Sequence, residues 1–137
     1  MEKEFKNLLG KDVIALGAEM KGSFVAVKDG KVVGSEVFES LSDYDEFEKY
    51  KSRLRFVIEK YSIVPTAIIC DMHPEYVTTG LASELVLEFK CDLIRVQHHI
   101  AHAYSAAHEH NLTDFGSIVC DGLGYGLDGK IWEERYF

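Results

Sequence analysis

Two short apolar runs, Phe24-Val25-Ala26-Val27-Lys28 and Lys31-Val32-Val33-Gly34, flank the dipeptide Asp29-Gly30. Both positions of such a pair tolerate positive φ, so Asp-Gly between apolar runs closes a two-residue β-hairpin. A compact apolar run just before it, Asp12-Val13-Ile14-Ala15-Leu16-Gly17, reads as a central strand, and the loop Gly17–Ser23 joins it to the hairpin. The third strand is expected to run from Lys31 to Phe38, giving an antiparallel meander. Beyond it the pattern changes. Ser42 and Asp43 are N-cap residues, and Phe47, Tyr50, Leu54, Val57, Ile58 and Tyr61 recur at three and four, which marks one face of a helix over Tyr44–Tyr61. Thr66–Cys70 reads as a buried strand, about Thr79 to Phe89 as a helix, and Leu93–Val96 as a strand. His98–His110 reads as a helix ended by Asn111. Ser117–Cys120, a Gly-rich turn over Asp121–Gly129 and Lys130–Phe137 then form a fresh β-turn-β. The order is βββαβαβα with a hairpin after it. Strands alternating with helices after a meander imply an α/β fold, a mixed sheet with helices on its faces. The closing hairpin echoes the opening one, as if a second copy of the unit begins there.

Composition narrows the function classes. A chain of 137 residues has the size of one domain. A net charge of −8 argues against nonspecific nucleic-acid binding, which needs lysines and arginines against phosphate. It leaves nucleotide binding open, where a few backbone amides suffice. No apolar run approaches the ~20 residues of a membrane span, and the charged start Met1-Glu2-Lys3-Glu4 resembles no secretory signal, so a cytoplasmic protein is expected. Cys70, Cys91 and Cys120 have no CxxC spacing and sit in apolar runs, so the expectation is three buried, reduced thiols.

Chemistry concentrates between Val96 and Trp132. His98 and His102 are four apart, so on a helix they share a face, and two neutral imidazoles at that spacing can bind one divalent metal. A surface or structural pair is the competing reading. The second position of the His98–His102 segment is not Glu, so the zinc-protease pattern fails. His99 points elsewhere. Asp121-Gly122-Leu123-Gly124-Tyr125-Gly126 looks like a dinucleotide fingerprint but lacks the helix that should come next. Its glycines Gly122, Gly124 and Gly126 can instead present backbone amides to anionic oxygens, with Asp121 as a metal ligand. A glycine-rich hairpin capped by Asp121 explains the same residues. Lys21, in the loop after the first strand, is available to a phosphate or is simply solvated. Asp71 and His73 lie where the next strand ends, where ligands of α/β sheets gather, and fit a plain turn equally well.

Taken together, Gly17-Ala18-Glu19-Met20-Lys21, Cys70-Asp71-Met72-His73-Pro74-Glu75-Tyr76, Val96-Gln97-His98-His99-Ile100-Ala101-His102 and Asp121 to Trp132 resemble, in order and spacing, the carbamoyltransferase domain of the hydrogenase maturation protein HypF. That domain is related to the protein that transfers threonylcarbamoyl to tRNA and belongs to the actin-like ATPase/sugar-kinase superfamily. The resemblance spans about residues 12–134. It implies a ribonuclease-H-like first lobe over about 12–115, and a hairpin over 116–137 that begins a second lobe. It implies that His98 and His102 are metal ligands and that Asp121 faces the metal and phosphates as ligand and catalytic group. It further implies that Lys21, Gly122, Gly124 and Gly126 line a site for ATP or carbamoyl-adenylate. Carbamoyl would pass to a cysteine of a HypE-like acceptor protein. Two positions depart from the family pattern: Ile100 stands where a third consecutive His is usual, and Glu133-Glu134 where Gly-Gly-Glu is usual. The sequence also stops at Phe137, short of a full second lobe, so a lone first lobe with half a cleft is expected. Such a lobe would be inactive until another chain, or a second copy in a homodimer, completes it; a non-catalytic assembly or regulatory module is the alternative.

Overall fold

A computed structural model describes residues 10–136. The five-stranded sheet is built from β1 (Val13–Leu16), β3 (Phe24–Lys28), β4 (Lys31–Gly34), β6 (Ala67–Asp71) and β7 (Asp92–Val96), in the order β4-β3-β1-β6-β7. The first three are antiparallel and turn at Asp29 and Gly30, whose φ values are 49° and 76°. β6 adds to β1, and β7 to β6, both parallel. Parallel neighbours need a crossover, and each crossover carries a helix: α1 (Tyr44–Lys60) before β6 and α2 (Val77–Phe89) before β7. The sheet is therefore mixed, as expected.

Register assigns the faces. Ile14 lies beside Ala26 on one side and Ile68 on the other, so the three share a face with Leu16, Phe24 and Cys70. Onto that face α1 sets Tyr50, Leu54, Val57 and Ile58, and α2 sets Leu81, Ala82 and Leu85, to make one core. Asp43 caps α1 by accepting from the Glu46 amide at 3.0 Å. Tyr50 is fully buried, meets Phe24 and Phe38 edge-on at 5.5 Å, and donates its hydroxyl to the Ser23 carbonyl at 3.3 Å.

The sheet departs from expectation in three places. The third strand does not run through to Phe38. The Ser35 hydroxyl takes the Phe24 amide at 3.0 Å, the chain leaves the sheet, and β5 (Phe38–Ser40) pairs instead with β2 (Met20–Gly22), a small ribbon within the opening loop. Helix α2 begins about two residues before Thr79, because the Thr79 hydroxyl bonds the His73 carbonyl at 2.7 Å and gathers the preceding loop. The glycine-rich stretch is mostly strand: β8 (Ile118–Tyr125) pairs with β9 (Ile131–Tyr136), with a bulge between Cys120 and Gly124. Gly129 has positive φ and makes the turn together with Gly126, whereas Gly122 and Gly124 lie within the strand. The two-stranded β8–β9 sheet is separate from the main sheet and lies against α3 (His98–Glu109).

Removing the Leu54 side chain, which is 1% exposed within the core cluster, opens a cavity there. Leu54→Ala is expected to lower unfolding free energy by about 2–5 kcal/mol in denaturant titration. A loss below about 1 kcal/mol would show that α1 does not depend on this side chain.

Candidate metal centre

The carboxyl ends of β6 and β7 are adjacent, Asp71 beside Val96, and the chain leaves β7 directly into α3. This places the last residue of one buried strand next to the first turn of a helix. Asp71, 8% exposed, uses Oδ1 to accept the His73 amide at 2.8 Å, which fixes its rotamer. Its Oδ2 lies 2.7 Å from His98 Nδ1. An ionised carboxylate only accepts, so Nδ1 carries the proton and Nε2 is the nitrogen turned outward.

Three atoms meet beyond that nitrogen. His98 Nε2 is 2.8 Å and His102 Nε2 3.0 Å from Asp121 Oδ2, and the two Nε2 atoms are 3.2 Å apart. The helical spacing brings the histidines to one face, and β8 delivers the carboxylate from across the gap. In the neutral state His98 Nε2 bears a lone pair, directly opposite a carboxylate lone pair at hydrogen-bond distance. Two things relieve that clash: a proton on Nε2, or a cation among the three atoms. The surroundings of His98 favour the first course when no cation is bound. The hydrogen bond to Asp71 pushes the His98 pKa above its ordinary 6.5; burial opposes this, and Asp121 adds to the rise. The donor set also fits the second course. Metal–nitrogen bonds of about 2.0–2.1 Å place adjacent ligand atoms roughly 3 Å apart, the spacing present here. Two imidazoles and a carboxylate suit first-row divalent ions, and a carboxylate behind one imidazole is the usual outer support. His98, His102 and Asp121 form a cluster able to hold a metal among the described residues.

The other expected site residues fare differently. The close approach anticipated for the glycines is present at Gly124, but what comes close is His99: a Cβ there would overlap the imidazole. Gly126 donates its amide to the Lys130 carbonyl at 2.7 Å, so that group closes the hairpin. Gly122 falls within the bulge of β8. Lys21 is exposed on β2. Its loop stands at the same end of the sheet: burial raises the Tyr76 phenol pKa, and Asp71, Glu19 and Asp121 together push it further. His73 stacks on Tyr76 at 4.2 Å and lies 5.2 Å from Tyr125, forming an aromatic rim beside the histidines. The three cysteines are free, but only Cys70 is buried; Cys91 is half-buried and Cys120 exposed, since strand alternation turns it away from its buried neighbour Val119. Gln97 stands in the Val96–His102 segment singled out from the sequence, but no role was expected of it. It is 1% exposed and caps α3 through Oε1, which accepts the Ile100 amide at 2.9 Å. Glutamine is an uncommon cap, and nothing in its sequence neighbourhood announces one.

This lobe, a mixed sheet entered by an antiparallel meander and closed by a hairpin beside a His-bearing helix, has the actin-like, ribonuclease-H-like fold. YeaZ from Pseudomonas aeruginosa shares it, with a TM-score of 0.62 at 14% identity over 92% of this chain and 67% of that one. Residues 9–109 match the HypF Kae1-like domain, and the chain belongs to that family. It is similar to the crystal structure of T. kodakarensis HypF, with a TM-score of 0.85 and 34% identity over 92% of this chain and 17% of that one. Full-length HypF in its phosphate- and nucleotide-bound form is likewise similar, with a TM-score of 0.80 and 30% identity over 92% and 16%. The probable carbamoyltransferase HypF of Methanocaldococcus jannaschii is 36% identical over 124 residues, which are 89% of this chain and 16% of that protein. The chain thus spans about one sixth of the relatives' length. No helix among the described residues is long and apolar enough to cross a membrane.

The raised His98 pKa carries a pH signature in metal-free protein. Its stabilising contribution is fully present below the unfolded value near 6.5 and is lost as pH rises through the folded value. In Asp71→Asn the His98 titration, tracked by NMR of the ring protons, should fall back toward 6.5. An unchanged titration would mean that Asp71 does not hold Nδ1.

Proposed function

We propose that the chain carries the metal-bearing half of a HypF-type carbamoyl-transfer site. The observation that supports this is the meeting of His98 Nε2, His102 Nε2 and Asp121 Oδ2 within 3.2 Å, backed by Asp71. In this reading those three atoms hold a divalent metal, and Asp71 keeps His98 in the tautomer that presents Nε2. The bound metal supplies Lewis acidity toward carbamoyl or phosphate oxygens. Asp121, facing both the metal and the open side, orients the reacting group. Lys21 and the backbone at Gly122 and Gly124 contribute to the cradle for ATP or carbamoyl-adenylate. Gly126 contributes packing, its amide being engaged in the turn. That full-length HypF has a phosphate- and nucleotide-bound form supports the nucleotide assignment. The carbamoyl acceptor is a cysteine of a HypE-like protein, acting in the cytoplasm.

A second lobe would cover this half-site. The hairpin exposes Ile118 and Ile131, 68% and 55% accessible, beside the metal ligands. A two-stranded sheet is marginal by itself and leaves pairing edges open. Either the remaining HypF-like lobe or a second copy of the chain can fill that surface.

The purified 137-residue polypeptide should retain about one equivalent of divalent metal. His98→Ala, His102→Ala and Asp121→Ala should each reduce metal content, measured by plasma mass spectrometry after dialysis. Equal occupancy in wild type and all three variants would end the assignment. Because the metal must displace the proton that Asp71 and Asp121 stabilise on His98, affinity should increase as pH rises through the His98 titration. Carbamoyl transfer to an acceptor cysteine should require addition of the second lobe; brisk turnover by this polypeptide alone would refute the half-site reading.

A further inference from the structure

The metal ligands come from two elements that no ladder joins: His98 and His102 from α3, and Asp121 from β8 of the separate hairpin. Something must set the gap between them. Besides the ligand side chains themselves, Gln97 reaches across it. Gln97 spends its whole carboxamide there: Oε1 caps α3 at the Ile100 amide, while Nε2 lies 3.1 Å from His99 Nδ1 and 3.3 Å from the Tyr125 carbonyl of β8. An amide nitrogen only donates, so His99 Nδ1 is the acceptor, and the neutral ring carries its proton on Nε2. His99 is fully buried, and β8 passes it at Gly124, where a Cβ would overlap the ring. The gap is thus fixed by a hydrogen bond that draws β8 inward and a ring that stops it. Asp121 lies just across the β8 bulge from this contact.

We infer that Gln97 is a positioning residue for the metal centre, holding β8 against His99 so that Asp121 completes the ligand set begun by His98 and His102. The inference rests on the proposed metal site. Gln97 touches neither the metal site's ligand atoms nor any reacting group; it acts through the placement of Asp121.

Gln97→Glu separates its two duties. A carboxylate still caps the Ile100 amide, but it cannot donate to the Tyr125 carbonyl. The test is Zn²⁺ affinity of the full chain, by competition with a chromophoric chelator, in wild type, Gln97→Glu, Asp121→Ala and the double variant. Gln97→Glu should weaken binding by about 10–100-fold, the usual effect of losing an outer support. In the Asp121→Ala background it should have no further effect, because the ligand it positions is gone. Gly124→Ala, which pushes β8 away from His99, should behave in the same way and serves as the second variant. Wild-type affinity in Gln97→Glu, or an equal loss with and without Asp121, overturns the inference while leaving the metal site standing. Failure of the wild-type chain to bind Zn²⁺ overturns both.

Discussion

The hydrogen bond between Asp71 and His98 joins the sheet to the chemistry. Asp71 ends a strand that sets Ile68 and Cys70 into the core, so its position is set by the register of β6 between β1 and β7. By holding Nδ1, it decides which nitrogen of His98 faces outward. The rest of the centre is arranged from that nitrogen: His102 one helical turn on, and Asp121 across from both. A loop could not hold a tautomer so firmly. A strand end backed by packed aliphatic residues can, because the interior yields little to displacement.

A second constraint is the separation between that rigid lobe and the hairpin. The main sheet and β8–β9 share no ladder, yet the ligand set draws on both. The Gln97 carboxamide, the His99 ring and the missing side chain at Gly124 together meet the need for a defined gap. Without a cation, three atoms that each carry lone pairs would crowd together, and the raised His98 pKa favours a proton that relieves this. In the proposed reading, a metal would compete with that proton for one position.

Much of the fold was legible along the chain. The Asp29-Gly30 turn and the three-four spacing of Phe47, Tyr50, Leu54 and Val57 predict a meander and then a helix crossing to a parallel strand. Both signals are local, and local signals survive into the structure. The small β2–β5 ribbon was not legible, because it depends on the Ser35 hydroxyl capturing an amide eleven residues away. The turn over Asp121–Gly129 was placed too early for a related reason. Glycine permits a turn but does not demand one, and close packing against His99 gives Gly124 another use.

By itself the sequence determined the α/β class, the order of elements and the shared face of His98 and His102, since helix periodicity alone places residues four apart side by side. It also named Asp71 and Asp121, though as candidates with plain explanations still open. Only the tertiary structure decided that these carboxylates converge on the same imidazole, one at each nitrogen, at 2.7 and 2.8 Å. It alone revealed what Gln97 does within the Val96–His102 segment. The physical reason is that a strand end and a hairpin distant in sequence meet only through sheet register and helix docking. Those are properties of the folded whole, and no spacing along the chain encodes them.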